Sequence, residues 1–259
     1  MARTPWQVQK SVIFALFIRE LRTRFGTYKG GYIWLLAEPI LHIAVLMSLR
    51  SFIRDRSMYG IDFPVFIAVG VIPFILFRNI TMRVMDGVDS NRGLFSFKQI
   101  KPIDTFLARA LLDTMVSLSV FFLLLTGMYW FGLDVPFRDP LPVLAIYVLL
   151  IFGGLGLGMI FCVITHYLPE SKSILRLSMM PLYLMSGIIL PIASLPQWLL
   201  PYLLWNPLLH AIEIMRGAFF VQYHMVQGIS PLFVVMSTLA VLAFGFTWYW
   251  NRRLELLAR

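Results

Sequence analysis

The chain has 259 residues, of which 59% are hydrophobic and only 14% are charged, and its formal net charge is +9. Soluble globular proteins carry about 25% charged residues, so this composition excludes an ordinary soluble domain and favours a protein that crosses a membrane several times. Apolar runs of roughly 17–25 residues, the length that a membrane-spanning helix needs, recur along the chain. The single cysteine, Cys162, excludes an intrachain disulfide and a multi-cysteine metal site.

The first segment, residues 1–30, predicts an amphipathic helix that lies in the plane of the membrane interface and stays in the mature chain. Its early apolar run, Val12–Ile18, is short and is followed by charged residues, unlike a cleavable signal. The apolar stripe comprises Ile13, Phe14, Phe17, Ile18, Leu21 and Phe25, and the basic residues are Arg19, Arg22 and Arg24. Apolar burial and anionic lipid hold such a helix. A plain anchor and a helix that contacts a partner or a lipid-linked substrate both remain open.

Six membrane spans are predicted, and a proline-broken segment lies between the last two. The spans cover roughly 31–53, 62–81, 106–132, 141–166, 174–191 and 229–250. Pro201 and Pro207 break the segment 192–226, and neither half reaches the roughly 20 apolar residues of a span. We therefore expect two short helices that enter and leave the membrane on the same side. The prediction is one all-α transmembrane domain, 1–259, with a re-entrant hairpin at 191–228.

The distribution of basic residues predicts the orientation. Sixteen of the 22 lysines and arginines fall in the N-terminal segment, in the connections after spans 2 and 4, and in the C-terminal tail. The positive-inside rule places these segments in the cytoplasm. Both termini and the loop 82–105 are then cytoplasmic, and the re-entrant segment is on the outside. The same bias accounts for most of the net charge, which therefore does not indicate nucleic-acid binding.

Two polar features lie inside predicted spans. Glu38, Pro39 and His42 interrupt span 1, where a proline predicts a kink and polar groups are expected to face the bundle or a cavity. Arg78 lies near the inner end of span 2, where it either snorkels to the headgroups or lines a polar conduit.

The cytoplasmic loop 82–105 combines a charged row with apolar side chains. The charged residues are Asp86, Asp89 and Arg92, and the apolar residues are Leu94, Phe95 and Phe97. The spacing of three predicts a short helix that Gly93 ends. Exposed aromatic side chains on such a helix are typical of a knob that fits a partner's socket. A loop folded onto the protein's own helix ends is the alternative.

The segment LWNPLLHAIEIMRGAFF (204–220) is predominantly apolar yet carries a polar row. Asn206 is a good N-cap and Pro207 suits the first turn, so together they predict a helix start. His210, Glu213 and Arg216 then lie along one side of the helix, and Glu213 can pair with either neighbour. Such a row is costly at membrane depth unless it faces protein or water. The row either fixes a re-entrant helix or lines an exit.

The motifs of catalysis and nucleotide binding are absent from the sequence. It contains no phosphate loop, no H-E-x-x-H, no G-x-S-x-G and no cysteine pair. Its glycine-rich stretch at 153–158 lies inside span 4, and the spacing of Gly154 and Gly158 predicts close helix packing. We therefore predict no catalytic residue, no metal and no cofactor bound by this chain. If the protein uses ATP, another chain must bind it.

Over essentially its whole length the chain resembles the permease subunit of type-two ABC exporters, specifically the KpsM-type permeases of capsular polysaccharide export. The segments that carry the resemblance are FIRELRTRFG (17–26), GYIWLLAEP (31–39), DFPVFIAVGVIPF (62–74), NRGLFSFKQIKPIDTFLARALLD (91–113), PLYLMSGIILPIASLP (181–196) and YLLWNPLLHAIEIMRGAF (202–219). Most specific is the pairing of Ser186-Gly187 and Pro191 with the N-P-L-x-H-x-x-E-x-x-R row.

This resemblance implies partners and a mechanism. Two permeases would form a homodimer with two copies of a KpsT-like nucleotide-binding subunit, which would bind ATP and Mg²⁺. The loop 82–105 would be the coupling helix in a cleft of that subunit, and 1–30 would be the interface helix. ATP hydrolysis would drive a lipid-linked acidic polysaccharide across the bacterial inner membrane towards a KpsE-like periplasmic adaptor.

A conduit for a long acidic polymer would offer aromatic faces and some positive charge. The candidate residues are Tyr32, Trp34, Glu38, His42, Arg78, Tyr183, Ser186 and Trp205. Tryptophan and tyrosine are also enriched at membrane interfaces for reasons of lipid contact alone. Three alternatives remain: an exporter of an O-antigen or teichoic-acid type polymer, a membrane enzyme acting on lipid-linked sugar, and a secondary transporter, which would usually show internal repeats.

Overall fold

The computed structural model describes residues 4–25, 31–51, 57–58, 60–97, 99–189, 191–192 and 195–258. Helices dominate these residues and confirm the predicted all-α class. They are α1 Pro5–Phe25, α2 Gly31–Ser51, α3 Phe63–Met85, α4 Pro102–Trp130, α5 Pro140–Tyr167, α6 Ser171–Leu177, α7 Met179–Met185, α8 Leu200–Leu203, α9 Pro207–Phe219 and α10 Pro231–Ala258. Two short 3-10 helices, Asp89–Leu94 and Gln197–Leu199, and an antiparallel pair of strands, β1 Ser57–Met58 and β2 Ile61–Asp62, complete the described elements.

Within the described residues, four helices are long and apolar enough to cross a membrane. They are Phe63–Met85, Pro102–Trp130, Pro140–Tyr167 and Pro231–Leu257, and they correspond to the predicted spans 62–81, 106–132, 141–166 and 229–250. α3 and α10 continue beyond the predicted ends because hydropathy marks the apolar core of a span, whereas the helix runs on through charged residues such as Arg83 and Arg252. The predicted span 31–53 corresponds to α2, and its residues 52–53 lie outside the described residues.

α3 is the central helix of the fold. It packs against α2, α4, α5 and α9, and most of its side chains are buried. Glycines on α5 permit close approach: a Cβ at Gly154 would lie 3.1 Å from the Phe77 carbonyl oxygen, and one at Gly158 would lie 2.9 Å from that of Thr81. The predicted packing role of these two glycines is confirmed. On the other side of α5, a Cβ at Gly156 would lie 2.7 Å from the Cα of Leu242 on α10.

Two short helices, α6 and α7, occupy the region where one span was predicted over 174–191. The prediction of a continuous helix is wrong because Pro181 has no N–H to donate to the Leu177 carbonyl, which interrupts regular helical bonding. α7 ends at Met185, and Gly187 follows with a φ of 67°, a left-handed conformation that favours glycine. α6 has no buried residue.

The N-terminal helix α1 packs against α4, but its buried face differs from the predicted apolar stripe. Leu16, Glu20 and Phe25 are buried, whereas Phe14 of the predicted stripe is 64% exposed. Of the predicted stripe, Phe25 is buried in the protein, Phe14 is exposed, and the other four members are partly buried. The contact of this stripe with lipid stays a prediction.

Candidate functional site

A group of charged side chains, which we call the α1–α4 charge cluster, joins α1 to α3 and α4. It consists of Glu20, Arg24, Arg83, Arg109 and Asp113. The Arg109 Nε donates to Glu20 Oε1 at 3.0 Å, and Arg24 Nη1 donates to Asp113 Oδ1 at 2.7 Å. Arg83 Nε lies 3.2 Å from the same Asp113 oxygen. The pKa of the Arg24 guanidinium is lowered, mainly because the group is buried. Because buried charges persist only when paired, the cluster fixes α1 against the bundle.

The loop 82–105 is fastened to the α1–α4 charge cluster. Arg109 Nη2 donates to Ser90 Oγ at 2.8 Å, and Arg19 donates to the side-chain oxygen of Asn91. Asn91 is buried, and its Nδ2 donates to the Gly87 carbonyl at 2.8 Å. Of the three arginines predicted for the interface helix, Arg19 and Arg24 thus bind protein groups, and Arg22 is exposed.

The predicted charged row of this loop divides into two separate sets of contacts. Asp86 caps the end of α3 and lies 2.7 Å from both Lys172 Nζ and Arg176 Nη2 on α6. Asp89 pairs locally with Arg92 at 2.9 Å. The predicted helix end at Gly93 is wrong: the 3-10 helix includes Gly93, and its C-cap is Phe95, whose N–H donates to the Arg92 carbonyl.

Among the apolar residues of the loop, Phe97 is the exposed one. Its side chain is 62% exposed. Leu94 and Phe95 are half-buried, and Phe95 packs against the hydrophobic core. The surface available to a partner is therefore smaller than the predicted three-residue knob, because the loop folds partly onto the protein's own helices.

The start of α9 agrees with its predicted capping. Asn206 Oδ1 accepts from the Leu208 N–H at 3.0 Å, and Pro207 occupies the first turn, so the predicted N-cap is confirmed. Asn206 Nδ2 also donates to Ser186 Oγ at 3.1 Å. Ser186 is fully buried and its hydroxyl donates to the Leu182 carbonyl, so α9 is joined to the end of α7.

The predicted row on α9 is paired on one side: Glu213 lies near Arg216, as expected, whereas His210 bonds to other parts of the chain. The described hydrogen bonds of His210 go to backbone groups: its Nε2 lies 2.8 Å from the Leu204 carbonyl oxygen, and its Nδ1 accepts from the Ser230 N–H at 3.1 Å. The neutral tautomer with a proton on Nε2 satisfies both bonds. His210 thus joins α9 to the turn before it and to the start of α10.

Arg216 is the buried cation of the row. It is fully buried, and Nη1 and Nη2 donate to the carbonyl oxygens of Gly187 and Ile188 at 2.7 and 2.8 Å. Its guanidinium lies 3.7 Å from the ring centroid of Phe66 on α3. These bonds satisfy the carbonyl groups of the two residues that follow Ser186, the C-cap of α7, and the ring contact is a cation–π interaction. Arg216 therefore connects α9, α7 and α3.

Glu213 has a partner that the row did not predict. Its Oε1 accepts from the Tyr223 hydroxyl at 2.5 Å, and the same oxygen lies 3.8 Å from Arg216 Nη1. Glu213 is fully buried, so this combination of one hydroxyl and one cation compensates its charge. We call Asn206, His210, Glu213 and Arg216 the α9 anchor, since every one of them binds groups outside its own helix.

The predicted conduit residues separate into exposed and buried sets. Arg78 Nη2 pairs with Glu38 Oε1 at 2.6 Å, with the two side chains 35% and 46% exposed. His42 Nε2 lies 2.7 Å from the Tyr183 hydroxyl. Tyr183 and Ser186 are buried and take part in contacts between helices, and their role in a conduit stays a prediction. Trp205 is strongly exposed, and the side chains of Tyr32 and Trp34 lie outside the described residues.

Several residues of these sites were not predicted from the sequence. Tyr223 lies beyond the end of α9, where no helical spacing links it to Glu213. Phe66 sits among other apolar residues of α3 and carries no local signal. Arg109 and Asp113 did carry one: two charges four residues apart inside an apolar span indicate a buried polar site.

Comparison with known proteins gives one family and several relatives. Residues 11–220 match the family described as ABC-2 type transporter. The chain is 38% identical to the polysialic acid transport protein KpsM of Escherichia coli over 257 residues, 99% of each chain. It is 29% identical to the capsule polysaccharide export inner-membrane protein CtrC of Neisseria meningitidis, and 28% identical to the corresponding protein BexB of Haemophilus influenzae. Both matches cover 92% of this chain and 89% of the relative.

Proposed function

Because the chain belongs to the ABC-2 type transporter family, we propose that it is the membrane-spanning permease for export of a capsular polysaccharide across the bacterial inner membrane. The observation that carries the proposal is end-to-end similarity to a polysialic acid transport protein, with capsule export proteins among the other relatives. Four long apolar helices supply the membrane domain that such a permease needs. An acidic, lipid-linked polymer is the proposed substrate.

The proposed energy source is a separate nucleotide-binding subunit. Two copies of the permease and two copies of this subunit form the exporter, and ATP and Mg²⁺ bind to the subunit. The loop 82–105 is the proposed coupling segment, in which Phe97 enters a socket of the partner. The exposure of Phe97 supports that role, because exposed apolar side chains are typical of protein interfaces. The hydrogen bond from Arg109 to Ser90 also holds the loop in position for such a contact.

The finer membrane architecture is also a proposal. α2 is the first span, α6 and α7 form the fifth, and α8 and α9 form a re-entrant hairpin on the periplasmic side. Both termini and the loop 82–105 are cytoplasmic, as the bias of basic residues suggests. The α9 anchor supports the hairpin, because each of its four side chains ties α9 to a neighbouring element. The periplasmic face then meets an adaptor protein.

The exposed pair of Arg78 and Glu38 supports a polar conduit between two copies of the permease. Arg78 lies seven residues before the end of α3, about 10 Å from it at 1.5 Å per residue. At that depth a half-exposed ion pair would be costly against lipid tails, so its face must meet water or protein. His42 continues this face towards the outer side, and Arg78 offers positive charge to an acidic polymer.

Export in cells tests the proposal. A capsule-producing strain that lacks its own permease receives this chain with its cognate nucleotide-binding subunit, and acidic polysaccharide is measured on the surface and in the cytoplasm. We expect polymer on the surface. Retention of the polymer in the cytoplasm, although both subunits reach the inner membrane, would contradict the proposed function. Surface display of only a neutral or O-antigen type polymer would reassign the substrate.

A further inference from the structure

The contacts of Asp86 connect the loop 82–105 to a helix with no assigned role. Asp86 is the C-cap residue of α3, at the point where the loop begins. Lys172 Nζ and Arg176 Nη2 both lie 2.7 Å from its carboxylate oxygens. The two cations are four residues apart on α6 and therefore share one face of that helix.

α6 is held by this contact together with limited packing. It has no fully buried side chain, and among the described residues its partly buried Leu175 packs against the hydrophobic core. It does continue into α7: the Ser178 N–H donates to the Ile174 carbonyl at 2.9 Å, and the Leu182 N–H donates to the Ser178 carbonyl at 3.4 Å. The 15 residues from Ser171 to Met185 thus form one interrupted helix about 22 Å long, which we call the α6–α7 rod.

The other end of this rod is held by the α9 anchor. Ser186 accepts from Asn206 Nδ2, and the carbonyl groups of Gly187 and Ile188 accept from Arg216. The α6–α7 rod therefore runs between two polar attachments, one at the loop 82–105 and one at α9. These attachments offer a route from the loop to α9 besides the direct packing of α3 against α9.

We infer that Lys172 and Arg176 are coupling residues, which pass the movement of the loop 82–105 through Asp86 to the α6–α7 rod and so to α9. The inference rests on the proposed function, since it presumes that a nucleotide-binding subunit moves the loop. Lys172, Arg176 and Asp86 are all partly exposed, and exposed ion pairs contribute little to folding stability. Their loss should therefore affect transport far more than assembly.

Charge reversal tests the inference in the assembled exporter. Lys172→Glu with Arg176→Glu is prepared with the nucleotide-binding subunit, and polymer exported per ATP hydrolysed is measured in vesicles. We expect this ratio to fall by about tenfold, a typical size for coupling between distant sites, while the subunit still co-purifies. Adding Asp86→Arg should restore the ratio, because it re-forms the contact with reversed signs. Arg252→Gln, which removes an exposed ion pair of α10 away from the α6–α7 rod, is the matched control.

The outcomes distinguish the inference from the proposed function. An unchanged ratio in Lys172→Glu with Arg176→Glu, or failure of Asp86→Arg to restore a lowered ratio in an assembled complex, would overturn the inference alone. If charge reversal prevents assembly, Lys172→Gln with Arg176→Gln takes its place and must lower the ratio. If the unaltered chain neither holds a nucleotide-binding subunit nor exports polymer, the proposed function fails and the inference fails with it.

Discussion

Replacing Arg216 by methionine removes the buried cation of the α9 anchor while keeping an unbranched, flexible side chain. The guanidinium makes two short hydrogen bonds to carbonyl groups and lies on the ring of Phe66. Bonds to charged groups contribute about 1.5–3 kcal/mol each. Breaking a buried ion pair from one side costs about 3–5 kcal/mol. Because these terms overlap, we expect a total loss of about 3–5 kcal/mol in the free energy of unfolding.

Chemical denaturation of the purified protein in detergent measures this loss. The companion variant Arg216→Met with Glu213→Gln should recover part of the loss, because it removes the carboxylate that the single change leaves buried without a cation. The Tyr223 hydroxyl can still donate to the glutamine oxygen. Exposed Arg252, changed to methionine, should leave stability nearly unaltered. Unaltered stability in Arg216→Met, or strictly additive effects in the double variant, would refute this account of the anchor.

Three further predictions concern other parts of the chain. Phe97→Glu should abolish co-purification of the nucleotide-binding subunit without lowering the melting temperature, since its side chain is exposed; retained binding would remove Phe97 from the interface. Gly245→Ala should lower the melting temperature strongly, because the added Cβ would overlap the Gly156 carbonyl oxygen on α5. Gly127→Ala, whose Cβ would have open space, should leave the melting temperature unchanged or raise it. Equal changes of melting temperature in the two variants would contradict the close packing of α10 on α5. Glu20→Ala should release α1, measured as faster proteolysis within residues 5–25, since it leaves a buried arginine unpaired; unchanged proteolysis would show that packing alone holds α1.

The membrane helices were predictable because their length and apolar composition are properties of continuous sequence. The ends of these helices were less predictable, because α3 and α10 continue as helices past the apolar core of the span. The break between α6 and α7 had a readable cause in Pro181, but an apolar window averages over a single proline. Hydropathy thus predicts where the spans lie, whereas breaks within a span depend on single residues such as proline.

The candidate sites likewise contain some contacts that the sequence predicts and others that it does not. Capping by Asn206 was predictable, because an N-cap and its helix lie within a few residues. The pairing of Glu213 with Tyr223 was not, since a turn of the chain separates them. The contact of Glu20 with Arg109 spans 89 residues and depends on how α1 lies against α4. Spacing identifies which polar residues share a helix face, whereas their partners follow from tertiary packing.

ATP-driven transport by purified components tests the central claim most directly. The chain and its nucleotide-binding subunit are reconstituted into vesicles that display the subunit outwards, and a lipid-linked acidic polysaccharide is added to the outer leaflet. We predict that ATP with Mg²⁺ transfers the polymer to the vesicle interior, where it resists added glycosidase, and that vesicles without this chain transfer none. Polymer that stays accessible to the glycosidase during active ATP hydrolysis, with both subunits present, would contradict the account.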